Sequence, residues 1–198
     1  MKIRRWSPAL LVLMLACTPQ TQPERATDTA APSAPAPAAS PMNVSSPAFA
    51  ANGAIPSQYG CDGAGISPPL VFGGVPAAAK SVALIVEDPD APSGAFTHWV
   101  VWNIAPTTRS ISEGRPPDGA VAGTNGFGKS GWGGPCPPSG MHHYVFNLYA
   151  LDASLNLPPS ATSAEVKAAM RGHVVAQSQL VGTYSRSGAT TASGHGAT

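Results

Sequence analysis

Charged side chains are scarce in this sequence of 198 residues, and neither sign is in excess. Asp, Glu, Lys and Arg make up 11% of the chain, and 11 basic residues against 10 acidic ones leave a formal net charge of +1. Nucleic acids and anionic membrane surfaces attract proteins that carry a clear excess of positive charge. The composition therefore gives no reason to expect a nucleic-acid partner.

The N terminus lacks an apolar run long enough to cross a membrane. Its apolar segment, Ala9–Leu15, would extend only about 10 Å as a helix, against about 30 Å for the bilayer core. Basic residues precede this segment, and Ala16–Cys17 follows it, which is typical of a signal peptide. The junction resembles a bacterial lipobox, so residues 1–17 are predicted to be a lipoprotein signal peptide with Cys17 as lipid acceptor. The alternative is an ordinary secretory signal in which Cys17 is incidental.

Cysteine is also rare, with three residues in the chain. If Cys17 carries the lipid, Cys61 and Cys136 remain as an even pair in an oxidising compartment. Such a pair suggests a disulfide, and the alternative is two buried thiols.

Glycine and proline, by contrast, are abundant, with 21 and 22 residues, and their number argues against a helical bundle. Residues 18–45 are rich in Pro, Ala and Thr and are predicted to be a disordered tether. Residues 188–198 are predicted to be a disordered tail. The remaining residues, 46–187, are predicted to form a single folded domain, and this length is enough for one hydrophobic core.

Short runs of β-branched and aromatic residues predict strands at 81–86, 97–104, 142–151 and 179–184. One helix is predicted at 163–175, where Thr162 to Glu165 forms a capping box and apolar residues repeat every four positions. The expected fold is mostly β, with a sheet core and peripheral helix.

The segment Gly123–Ser130 fits the phosphate-loop pattern G-x-x-x-x-G-K-[ST]. That loop functions only when a helix follows and points its amide groups at the phosphates. Residues 131–138 are rich in glycine and proline and cannot begin a helix. The nucleotide-binding interpretation is therefore rejected.

Three other segments combine polar side chains with rigid backbone. Asp88 and Asp90 follow a predicted strand within an Asp-Pro-Asp-Ala-Pro sequence, and either hold a ligand or form a solvated turn. His98 opens the next strand, where a structural role is the alternative. The third segment runs from a Gly/Pro loop, whose amides could bind an anion, into a strand. In that strand His142 and Tyr144 share one face, and His143 lies on the other.

These segments resemble the two signature regions of the phosphatidylethanolamine-binding protein family, in its bacterial Raf-kinase-inhibitor-like branch. The resemblance rests on DPDAP at 88–92, the His-Trp-Val-Val strand, and GGPCPPSG-x-H-x-Y at 133–144, with shorter matches such as Val181-Gly-Thr-Tyr184. It implies a β-sheet sandwich with a few peripheral helices and a pocket for phosphate-like or acetate-like anions and phospholipid head groups.

Residue by residue, the resemblance implies a pocket built from eight residues: Asp88, Pro92, His98, Gly133, Gly134, Pro135, His142 and Tyr144. Two positions depart from the usual pattern. Phe96 stands where many members have tryptophan, and His143 stands where arginine is usual, so ligand preference need not follow the family. A protonated histidine beside Asp88 is expected to attract the anion.

The functional expectation is a binding or regulatory protein of the cell envelope, tethered to the membrane and with no cofactor or metal. Its expected partners are a small anion or phospholipid head group and a protein that it inhibits or modulates. Thr18 after Cys17 suggests sorting to the outer membrane, facing the periplasm. The alternative is a hydrolase or metal-dependent enzyme that uses Asp88, His98 and His142, although no activated nucleophile is evident.

Overall fold

A computed structural model of the chain describes residues 40–186, which form eight strands and one α-helix. The predicted signal peptide, most of the predicted tether and the predicted tail lie outside the described residues. The strands are β1 (Asn43–Ser45), β2 (Leu70–Gly73), β3 (Ser81–Asp88), β4 (Phe96–Ile104), β5 (Ser110–Ile111), β6 (Val121–Ala122), β7 (Met141–Leu151) and β8 (Val174–Ser185). The helix, α1, spans Ser163–Ala169, and a 3-10 turn spans Ser57–Tyr59.

The strands form two antiparallel sheets. A three-stranded sheet has the order β1-β2-β5, and a five-stranded sheet has the order β6-β4-β3-β7-β8. β3 lies at the centre of the larger sheet, between β4 and β7. The mostly β fold expected from the sequence is therefore confirmed.

A hydrophobic core lies on each face of the five-stranded sheet. The larger core joins it to the three-stranded sheet and includes Leu84, Trp99 and Phe146. The smaller core joins the opposite face to α1 and includes Ile85, Trp102 and Val166. Because both faces of β3 are covered, all residues from 81 to 86 are buried, which explains their unbroken apolar character.

The predicted helix at 163–175 is too long, although its start is right. Thr162 caps the helix, and both hydrogen bonds of the capping box to Glu165 are present. The helix ends at Ala169, and Gly172 then adopts a left-handed conformation with φ of +80°. Val174 begins β8 by pairing with the end of β7, so its four-residue spacing from Met170 does not reflect a helix.

The predicted tether also extends too far toward the domain. Residues 43–45 form β1, which pairs with β2, and Val44 lies in the larger core with 6% of its surface exposed. A single valine among polar residues is a weak sequence signal, but pairing with β2 makes it a core position.

Two further features bear on the membrane and on redox state. Within residues 40–186, no helix has both the length and the apolar character needed to span a bilayer.

A disulfide joins Cys61 to Cys136, with Cα atoms 5.3 Å apart, and ties the loop after the 3-10 turn to the Gly/Pro loop before β7.

Candidate functional site

The segments that carry the family resemblance meet at one end of the five-stranded sheet, around a cavity of about 160 Å³. β3 ends there at Asp88 and β4 begins opposite it at Phe96. β7 starts at the same end, because it runs antiparallel to β3. The lining residues are Asp88, Ala91, Pro92, Ser93, Phe96, His98, Phe127, Cys136, Pro137, Pro138, His142 and Tyr144. This volume is below the range typical of drug-sized ligands, so the cavity suits a small group.

A buried carboxylate–imidazole pair forms part of this cavity. Nδ1 of His142 lies 2.7 Å from Oδ2 of Asp88, and 9% and 4% of the two side chains are exposed. The other carboxylate oxygen accepts a hydrogen bond from the Asp90 backbone amide at 2.8 Å. Because a carboxylate only accepts hydrogen bonds, Nδ1 of His142 carries the proton, and the ring is held in a fixed orientation.

Tyr144 brings a polar group to the cavity that lacks a well-placed partner in the described residues. Its side chain is fully buried, and no described atom satisfies the geometry of a hydrogen bond to its hydroxyl. Burial raises the pKa of this hydroxyl, and the carboxylate of Asp88, which lies close enough to interact with it although not in good hydrogen-bond geometry, raises it further, so the group stays protonated. A buried hydroxyl without a well-placed partner is energetically unfavourable, and a bound ligand could satisfy it.

His98 is buried too, but it does not pair with Asp88. Its Nδ1 lies 2.6 Å from the carbonyl oxygen of Gly133 and therefore donates to it. Burial lowers the pKa of His98, which favours the neutral ring. Of the two histidines that could carry the expected positive charge, His98 is therefore the less suited, because the group is desolvated and its Nδ1 proton is directed at a carbonyl.

The first part of the Gly/Pro loop, residues 133–135, supports the site rather than lining it. The Gly133 amide donates to the backbone of His98 at 2.8 Å, so it is not available to an anion. Gly134 packs so closely on the loop at 59–60 that a Cβ atom would lie 2.7 Å from the Tyr59 carbonyl oxygen. Pro135 is buried, and its carbonyl accepts the Cys61 amide. These three predicted pocket residues do not line the cavity, whereas the other five do: Asp88, Pro92, His98, His142 and Tyr144.

Several lining residues were not predicted from the sequence, and Phe127 is the most informative of them. It lies in the rejected phosphate-loop segment and is 50% exposed. Its ring packs edge-on against Phe96, with centroids 4.7 Å apart, and against His98, at 5.7 Å. The sequence signal that could have identified Phe127 as a lining residue was the presence of a large aromatic residue in a polar, glycine-rich loop. Pro137 and Pro138 complete the wall from the loop before β7.

A second carboxylate–imidazole pair lies just outside the cavity. The backbone amide and Nδ1 of His143 both donate to Oδ2 of Asp90, at 2.8 and 2.7 Å. These two hydrogen bonds lower the pKa of Asp90. About half of the His143 side chain is exposed, as the alternation along β7 predicted.

The side chains in the cavity do not form a metal site as they stand. No group of three His, Cys, Asp or Glu side chains in the described part of the chain has the spacing to hold a metal ion. The site offers instead one buried carboxylate, two imidazoles, one buried hydroxyl and an aromatic wall.

Fold and cavity together define a β-sandwich protein with a small cavity at the end of its larger sheet. The family model for phosphatidylethanolamine-binding protein matches residues 45–185. The chain therefore belongs to the phosphatidylethanolamine-binding protein family.

Individual relatives agree with this assignment. A UPF0098 protein of Methanothermobacter thermautotrophicus is 53% identical over 150 residues, which cover 73% of this chain and 99% of the relative. LppC of Mycobacterium tuberculosis, named as a candidate lipoprotein, is 45% identical over 76% of this chain and 75% of its own length. Among solved structures, the Chlamydia trachomatis protein CT736, a candidate homologue of phosphatidylethanolamine-binding proteins, has 43% identity and a TM-score of 0.72 over 74% of this chain and 99% of its own.

Proposed function

We propose that this protein is a binding protein whose pocket holds a small oxyanion, such as a phosphate, a carboxylate or the head group of a phospholipid. The observation that carries the proposal is the hydroxyl of Tyr144, which is buried without a well-placed partner beside the Asp88–His142 pair. A ligand oxygen would accept the hydrogen bond that the hydroxyl lacks.

Thermal unfolding with and without inorganic phosphate tests this function. Phosphate is expected to raise the melting temperature of the wild-type chain, because a ligand that binds only the folded state stabilises it. Tyr144→Phe removes one hydroxyl and is expected to reduce the shift strongly. The matched control is Tyr149→Phe, since that tyrosine lies on the same strand but outside the pocket. An equal shift in Tyr144→Phe would contradict the assignment.

The proposal extends to the membrane and to a protein partner. Cys17 would carry a lipid, residues 18–39 would link it to the domain, and the domain would face the periplasm from the outer membrane. Similarity to the candidate lipoprotein LppC supports the anchor. Phe127, exposed at the pocket rim, is the residue that a protein partner covering the pocket would contact.

Metabolic labelling tests the anchor. Labelled palmitate is expected to appear in the wild-type chain and to be absent from Cys17→Ser. Sucrose-gradient fractionation of the envelope then tests whether the labelled chain lies in the outer membrane. Labelling that persists in Cys17→Ser would contradict lipidation at this residue.

An assay for turnover by the wild-type chain and by His142→Ala tests the alternative of a hydrolase. It requires turnover of a phosphate or carboxylate ester that is lost in His142→Ala. Binding without turnover supports the proposed function, whereas metal-dependent turnover would favour the enzyme.

A further inference from the structure

Among the described residues, the pocket contains an acid but no permanent cation. Asp88 is the only carboxylate among its lining residues, and no lysine or arginine of residues 40–186 lines it. Lys129, in the nearby glycine-rich loop, is exposed and is not a lining residue. An incoming oxyanion therefore meets a negative charge in a partly desolvated site, where repulsion is stronger than in water.

The buried hydrogen-bonding groups of the pocket are mainly acceptors when the histidines are neutral. Nδ1 of His98 donates to the Gly133 carbonyl and Nδ1 of His142 donates to Asp88. In each neutral ring Nε2 then carries a lone pair and can only accept. Tyr144 is the one buried lining side chain whose donor has no well-placed acceptor among the described residues.

We propose that the pocket binds a phosphate dianion together with one proton, that is, as the monoanion, and so takes inorganic phosphate or a phosphomonoester in preference to sulfate. This inference rests on the proposed function. The dianions of inorganic phosphate and of phosphomonoesters readily gain this proton near neutral pH, since their second pKa lies at about 6 to 7, and the proton both lowers their charge near Asp88 and supplies a P–OH donor. That P–OH group donates to Asp88 or to a histidine Nε2, while Tyr144 donates to a bare phosphate oxygen.

Sulfate cannot bring this proton, because it is fully deprotonated in the same pH range. It can bind only after Nε2 of a histidine has taken up a proton from solvent. Around His142, the ionisable groups are Asp88 and Asp90 from the end of β3 and the turn after it, His98 from β4, and Tyr144 and Tyr184 from β7 and β8. Burial lowers the pKa of His98, so uptake of a proton from solvent at its Nε2 is unfavourable.

Calorimetric titration of the full-length chain with inorganic phosphate or sulfate tests the inference. At pH 6, 7 and 8, in two buffers of different ionisation enthalpy, we expect the buffer-dependent heat to correspond to uptake of one proton above pH 7. The Kd for total phosphate is expected to rise by about tenfold per pH unit above pH 7. Sulfate is expected to bind at least about tenfold more weakly than phosphate at pH 7.5.

Variants separate the charge of Asp88 from its position. Asp88→Asn keeps the shape and can still accept from His142, so we expect it to remove most of the preference for phosphate over sulfate. Tyr144→Phe is expected to weaken both anions and to keep the preference. The matched control is Asp152→Asn, which alters an exposed pair with His173 and should keep both affinities.

Vesicles distinguish a lipid source from a soluble one. Cosedimentation of the Cys17→Ser chain with phosphatidic acid vesicles, reversed by phosphate, would assign the site to a lipid phosphomonoester. Phosphate binding without cosedimentation would assign it to a soluble phosphate, and both results support the inference. Phosphate-reversible binding to phosphatidylcholine alone, a diester without a titratable proton, would overturn it.

Failure of the proton linkage and failure of anion binding give different results. Equal affinity for sulfate, or a phosphate Kd that is unchanged from pH 6 to 8, overturns the proton-linked recognition and leaves the binding function standing. Absence of phosphate binding at every pH overturns the proposed function itself.

Discussion

Two carboxylate–imidazole pairs join the same two segments of this protein at equal Nδ1–Oδ2 distances, but they differ in burial. In each pair, Nδ1 of a histidine at the start of β7 lies 2.7 Å from Oδ2 of an aspartate at the end of β3 or in the turn after it. Asp88 and His142 are almost completely buried, whereas about half of the Asp90 and His143 side chains is exposed. Equal distances therefore do not imply equal interaction energies, because the medium around two charges sets the strength of the interaction between them.

The largest effect is expected from breaking the inner pair. His142→Ala leaves the Asp88 carboxylate buried without its imidazole partner, and loss of one member of a buried pair costs about 3 kcal/mol or more. Urea unfolding at pH 7 measures this change. His143→Ala is the matched variant of the outer pair and should cost less than about 1 kcal/mol. Similar losses in both variants would show that burial does not distinguish the pairs.

A smaller effect is expected from the pH dependence of the outer pair. The His143 hydrogen bonds lower the pKa of Asp90 in the folded state, so the folded state binds its proton less readily than the unfolded state does. The resulting stability is present above the unfolded pKa of about 3.9 and is lost as pH falls through the lower folded value.

Unfolding curves of the wild type and Asp90→Asn measure this contribution. The difference is expected to reach at most about 1 kcal/mol at pH 7, because the pair is exposed, and to shrink as the pH falls below about 3.9 and through the lower folded pKa of Asp90. A difference that grows as the pH falls would contradict a lowered pKa of Asp90 in the folded state.

The smallest effect is expected from replacing the outer histidine by a permanent cation. His143→Arg gives Asp90 a permanently charged partner and should raise stability at pH 8 by about 0.3 kcal/mol. The gain should shrink in about 1 M salt, because exposed charges are screened. A gain that is unchanged by salt would point to packing instead.

The contrast between the pairs could be predicted only in part. Strand alternation correctly separated buried His142 and Tyr144 from exposed His143. The sequence did not indicate that Asp88 pairs with His142 while His98 binds a carbonyl, because that choice depends on how β4 and β7 flank β3. Phe127 was missed for a similar reason, since it reaches the pocket from a loop far beyond Asp88 in the sequence.

Predictions of the fold likewise succeeded where the signal was local and failed where strand pairing decided the structure. The apolar run of β3 and the capping box of α1 are local signals, and both predictions were right. The end of α1 and the strand at 43–45 were predicted wrongly, because pairing across the sheets outweighed local pattern there.

Short motifs and side-chain alternation were enough to predict the family, the strand-rich core and five residues that line the pocket, because each of these is encoded locally in the chain. The pairing of Asp88 with His142, the lowered pKa of His98 and the scaffold role of the loop glycines became evident only in the folded protein. These properties depend on burial and on distances between segments far apart in the chain, and no local pattern of residues specifies them.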